Sequence, residues 1–180
     1  MKTRRMTELA LLTAAALIIF IVELRLPDLS SIPGVKLGLA NIFTVYVVYS
    51  YKAKEAVLML LTRILLGSLF SNNFSSVIYS LAGGMLCIAG MLLLKKVIPI
   101  NYLWLCSVFG AMFHNTGQIA AALLITRSAA VLIHYPLLIV SGCIAGLFTG
   151  LCAQFVLKRL MPVRKNGEFN EETTMKENEK

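Results

Sequence analysis

The side chains of this chain best suited to chemistry are Arg63, His114, Asn115 and Gln118, together with Glu23, Lys36, Asn41 and Tyr79. His114 and Gln118 are four positions apart, which puts both on one helical face. Guanidinium, imidazole and amide groups of this kind hold an anion or a carboxylate well. They supply no pattern for breaking bonds. H-E-x-x-H, G-x-S-x-G and G-x-x-x-x-G-K-[ST] are all absent. The expectation is a binding protein, not an enzyme, with no cofactor and no resident metal. The cysteines, Cys87, Cys106, Cys143 and Cys152, all lie in apolar runs without a C-x-x-C pair, and read as inert core thiols.

These residues are carried by very apolar elements. Of the 180 residues, 58% are hydrophobic and 14% charged, against about 25% charged in an average soluble domain. Polar residues cluster between long apolar runs, the pattern of an integral membrane protein. The expected fold is all-α, a six-transmembrane-helix bundle with spans at about 7–24, 37–51, 53–71, 75–94, 102–126 and 130–157. The membrane domain is then 1–161, followed by a charged, disordered cytoplasmic tail over 162–180. "MTELALLTAAALIIFIVELRLP" is long and runs on without an A-x-A-like cleavage site before a loop, and reads as a membrane helix, not a signal peptide.

Basic residues set the orientation. Lys2, Arg4, Arg5, Lys52, Lys54, Lys95, Lys96, Lys158, Arg159, Arg164 and Lys165 fall at one set of helix ends; Arg25, Lys36 and Arg127 fall at the other. The positive-inside rule then places both termini in the cytoplasm. The formal net charge of +8 is a topology signal, with no sign of nucleic-acid binding.

In that frame the polar groups gather in the outer half. Arg63 lies near the midplane, and His114, Asn115 and Gln118 from the midplane outward. Glu23, Asn41 and Tyr79 lie near outer helix ends, and Lys36 on the rim. Ionisable groups at membrane depth are functional candidates by default. Each also has a structural reading: Arg63 holding Glu23 or a helix-end carbonyl, His114 and Asn41 bonding between helices. The joint clustering points to an outward pocket, with "RLPDLSSIPGVK" placed over it as a semi-rigid lid. Gly142, Gly146 and Gly150 form two G-x-x-x-G steps that suit close packing within the bundle.

Three stretches carry a resemblance: "IPGVKLGLANI", "RILLGSLF" with "YSLAGGML", and "FHNTGQIAAA". Together they resemble the Gx transporter family, whose members are often labelled heptaprenyl diphosphate synthase component I, over roughly residues 5–160. That family is similar to the substrate-binding S components of energy-coupling factor (ECF) transporters. The resemblance implies a six-helix protein of the bacterial cytoplasmic membrane. It implies capture of a vitamin-like molecule or metal in an outward pocket capped by the loop after the first helix, and docking on an ECF transmembrane coupling protein with cytoplasmic ATPases. It also implies that an Ala-x-x-x-Ala face, here Ala10 and Ala14, makes the docking contact.

The synthase label implies a different chemistry. A trans-prenyl diphosphate synthase uses aspartate-rich clusters to hold Mg²⁺ against a diphosphate. This chain has one aspartate, Asp28. The competing reading is therefore a non-catalytic membrane accessory subunit linked to isoprenoid or quinone synthesis. A self-sufficient facilitator is a third.

Overall fold

The structure, a computed structural model, describes residues 3–25, 39–71 and 75–178, with the side chains of the last helix described to Arg159. Among the described residues there are six α-helices: α1 (Thr3–Arg25), α2 (Asn41–Ser50), α3 (Ala53–Ser71), α4 (Ser75–Leu94), α5 (Leu103–Thr126) and α6 (Tyr135–Asn178). Short 3-10 turns at Ile100–Tyr102 and Ala129–His134 flank α5. The lid segment and Lys36 lie outside the described residues, as do the side chains of the expected tail, 162–180.

The expectation of six membrane-spanning helices is corrected. Among the described residues, four segments are long and apolar enough to cross a bilayer: Arg5–Glu23, Val77–Leu94, Ile100–Thr126 and Ala129–Arg159. The other two α-helices fail for different reasons. α2 has 10 residues, about 15 Å of helix against a hydrocarbon core of about 30 Å. α3 has 19 residues but carries Lys54, Glu55 and Arg63, and a charge at membrane depth is costly. The chain is thus a multi-pass membrane protein in which α2 and α3 are held by their neighbours.

Local chemistry explains the turns. Tyr51 leaves α2 in extended backbone, and Glu55 Oε2 accepts from the Lys52 N–H at 2.7 Å, the returning half of a capping box. α5 ends on Arg127 at φ 49°, with its N–H bonded to the Leu123 carbonyl. Ser128 Oγ then accepts from the Ala130 N–H.

Close backbone approach fixes α4, α5 and α6 as one wall. A Cβ at Gly150 would sit 2.7 Å from Trp104 Cα, and one at Gly146 2.9 Å from Val108 Cα. The glycine ladder of α6 therefore packs on α5, where any side chain would force the helices apart. Gly117 plays the same part between α5 and α4, where a Cβ would meet the Ala82 carbonyl at 2.7 Å.

Two ends of the bundle differ. At the end rich in lysine and arginine, Val47, Val48, Met91, Leu103, Cys106 and Leu157 are buried in a continuous core. Around the outside, large apolar residues face outward, among them Leu11 (65% exposed), Ile18 (61%) and Leu124 (78%). An apolar belt of that extent suits lipid and not water.

Candidate functional site

At the opposite end the six helices part around a cavity of about 690 Å³, within the range of small-molecule sites. Its wall includes Phe20 and Glu23 from α1, Asn41 and Thr44 from α2, and Arg63 and Ser68 from α3. Tyr79, Ser80 and Cys87 come from α4, His114, Asn115 and Gln118 from α5, and Ser141, Gly142 and Thr149 from α6. Glu23, Asn41, Arg63, Tyr79, His114, Asn115 and Gln118, separated widely in sequence, thus share one wall. Lys36 lies outside the described residues.

Arg63 is the electrostatic centre. Its Nη1 donates to the Ala40 carbonyl, to Asn41 Oδ1 and to Thr44 Oγ1, each at 3.2 Å. Nη2 also donates to Asn41 Oδ1 at 3.2 Å. All of these acceptors are neutral. Among the described residues no carboxylate forms an ion pair with Arg63, although Glu23 lines the same cavity. Glu23 instead accepts from the Leu39 N–H through Oε1 at 2.7 Å and is 8% exposed. The two charged groups therefore grip the start of α2 from α1 and α3. This explains why so short a helix begins at Asn41: Arg63 holds the Ala40 carbonyl and the Asn41 amide, and Glu23 holds the Leu39 N–H.

The other polar groups divide into committed and open ones. Asn115 Nδ2 donates to the Leu138 carbonyl, so this amide is partly spent in joining α5 to α6. Thr116 Oγ1 and Tyr135 Oη bridge the same pair at 3.0 Å. At the deep end Ser107 Oγ and Thr149 Oγ1 lie 3.3 Å apart. Gln118 and Tyr79 make no side-chain hydrogen bond to another described residue, which leaves an amide and a phenol open to the cavity. His114 packs where α4 comes closest: a Cβ at Gly83 would stand 3.1 Å from His114 Cε1 and 2.8 Å from Gln118 Cγ. Glycine at 83 is what lets both side chains occupy that wall.

Residue type alone did not single out Thr44, Ser68, Ser141 or Thr149. Thr44 had a usable signal, since it stands three positions after Asn41 and so shares its helical face. Ala10 and Ala14 are not part of the cavity. They lie on the exposed face of α1 near Leu11 and Ile18.

A second polar cluster sits at the basic end. Tyr51 Oη donates to Glu8 Oε2 at 2.8 Å, and Arg5 Nε lies 3.5 Å from Glu55 Oε1. The Arg5 guanidinium stands 5.4 Å from the Tyr51 ring centroid. Lys95 Nζ donates to the Val48 carbonyl at 2.7 Å, placing a cation at the end of α2 where the helix dipole favours one. Burial of Lys95 lowers its pKa below the ordinary lysine value of 10.5.

In comparison with known proteins, the family described as heptaprenyl diphosphate synthase component I matches residues 12–156, which covers most of the chain, with α2 to α5 whole and α1 and α6 in part. No curated protein and no solved structure matches it.

Proposed function

The chain belongs to the heptaprenyl diphosphate synthase component I family, and from that premise we propose that it is a non-catalytic membrane subunit that binds a small molecule bearing an anionic group in the cavity between its helices. One observation carries this reading. Arg63 is a permanent cation on a cavity wall, and its hydrogen bonds go only to neutral oxygens. Glu23 acts on Arg63 across the cavity and, among the described residues, not through a direct ion pair, so the desolvation of the buried guanidinium is only partly offset. An anion in the cavity offsets that cost, and the open groups of Gln118 and Tyr79 then serve to orient it.

Two settings suit such a subunit. The family description favours an accessory role beside the enzymes of prenyl diphosphate synthesis. With Asp28 as its only aspartate the chain lacks the paired carboxylates that hold Mg²⁺ on a diphosphate, so the catalysis is assigned to a partner. The other setting is uptake, with an ECF coupling protein and ATPases docking on the exposed α1 face of Ala10 and Ala14. The cavity supports this second setting, since an assembly subunit alone does not require one. In either, the positive-inside rule puts the basic end in the cytoplasm and the cavity toward the outside of a bacterial membrane.

Purification of the full chain in mild detergent tests both levels. Mass spectrometry of the extract is expected to find a co-purified small molecule with a carboxylate or phosphate. A preparation free of any such molecule contradicts the binding role. Co-purifying ATPases select the uptake setting, and a prenyl synthase subunit selects the accessory one.

A further inference from the structure

Resting on the binding role proposed above, we infer that the cavity takes a small zwitterionic molecule, with one anionic group for Arg63 and one cationic amine for Glu23, and discriminates against polyanions such as a diphosphate. The inference comes from counting charges on the described wall. Arg63 contributes the cation and Glu23 the carboxylate. The remaining polar members, such as Asn41, Gln118 and Tyr79, are amides, hydroxyls, a thiol and an imidazole. The two opposite charges do not neutralise each other directly. Each spends its described hydrogen bonds on the start of α2: Arg63 on Ala40, Asn41 and Thr44, Glu23 on Leu39 through one oxygen. Among the described residues no hydrogen bond is made to the second oxygen of Glu23, Oε2, which faces a donor in this proposal, and Arg63 keeps its net charge for an acceptor.

Among the described residues a diphosphate meets one cation, Arg63, and is repelled by the carboxylate of Glu23 on the same wall. Sites that hold diphosphates use several cations or Mg²⁺ on clustered carboxylates. A molecule with an amine and a single carboxylate matches both ends at once. The wall between them is apolar and aromatic, with Phe20, Val45 and Ile64 beside the polar groups, which suits a ring or a short hydrocarbon body.

Cys87 gives a reporter, because it lies in the cavity wall as a free, partly buried thiol and not in the filled core expected of it. The full chain in nanodiscs is alkylated with N-ethylmaleimide, and the rate at Cys87 is followed by peptide mass spectrometry. Four probes are compared: L-tryptophan, indole-3-propionate, tryptamine and dimethylallyl diphosphate. L-tryptophan is expected to protect Cys87 at about tenfold lower concentration than indole-3-propionate, the worth of one charge-assisted hydrogen bond. Glu23→Gln, which keeps an oxygen for the Leu39 N–H, is expected to erase that advantage. Protection by dimethylallyl diphosphate or indole-3-propionate equal to or better than that by L-tryptophan overturns the inference and leaves anion binding standing. Equal protection ratios in wild type and Glu23→Gln overturn it as well. Protection by none of the four overturns both the inference and the binding role.

Discussion

The basic end and the cavity end of this bundle use the same residue types to opposite effect. At the basic end the charged groups close on their neighbours: Arg5 pairs with Glu55 and stands over the Tyr51 ring, Glu8 accepts from Tyr51, and Lys95 donates to the carbonyl end of α2. The space between the helices there is filled by Val47, Val48, Met91 and Leu103. At the cavity end Arg63 and Glu23 both grip α2, and among the described residues neither forms a direct ion pair. The space between the helices there is open. What separates a clamp from a binding site in this molecule is whether the space around the charged groups is filled or open, not how many polar groups are present.

The contrast can be broken most severely at the helix wall that supports both ends. Gly146→Leu drives a side chain into α5, where a Cβ alone would stand 2.9 Å from Val108 Cα. A loss of about 3 kcal/mol or a failure to fold is expected, read as the thermal unfolding midpoint in detergent. An unchanged midpoint would mean that the two helices do not approach as described.

Arg63→Gln separates binding from stability. Gln keeps hydrogen bonding toward Asn41 but removes the charge. Binding of an anionic molecule should weaken by about 100-fold, since losing one partner of a charged pair costs roughly 2–5 kcal/mol. Stability should fall by no more than about 1 kcal/mol, because the lost hydrogen bonds to Ala40 and Thr44 are offset by removal of a buried charge. A large fall in the unfolding midpoint with unchanged binding would make Arg63 a clamp like those at the basic end.

Tyr51→Phe tests that end in turn. It removes the 2.8 Å bond to Glu8 and should cost about 1 kcal/mol with no change in binding. The smallest effect belongs to Lys95. Its pKa is lowered in the folded state by burial, so the folded chain binds its proton less readily than the unfolded chain. Stability should therefore rise as pH increases from the lowered folded value toward 10.5. Lys95→Met should flatten that slope in a pH series of unfolding midpoints, and an unaltered slope would assign it to another group.

Much of this contrast was legible from residue types. Polar groups scattered through apolar segments had few places to go but inward, and seven of the positions picked on that ground line the cavity wall. The glycine ladder was legible for the same reason, since its spacing suits close backbone contact and little else. The count of spans was not. Residues 37–51 read as a continuous apolar stretch, but α2 begins only at Asn41, where Arg63 and Glu23 catch the chain. That catch is tertiary and leaves no trace in hydropathy. Nor could the sequence show that Asn115 is partly spent on the Leu138 carbonyl, because the pairing depends on the contact of α5 with α6.

The most direct test of the central claim is an experimental structure of the full chain in a lipid nanodisc, purified without added ligand. The account predicts density for a small molecule in the cavity, with an acceptor atom within hydrogen-bonding distance of the Arg63 guanidinium. A carboxylate of the protein itself seated on Arg63, with only water or lipid tails in the cavity, would contradict it.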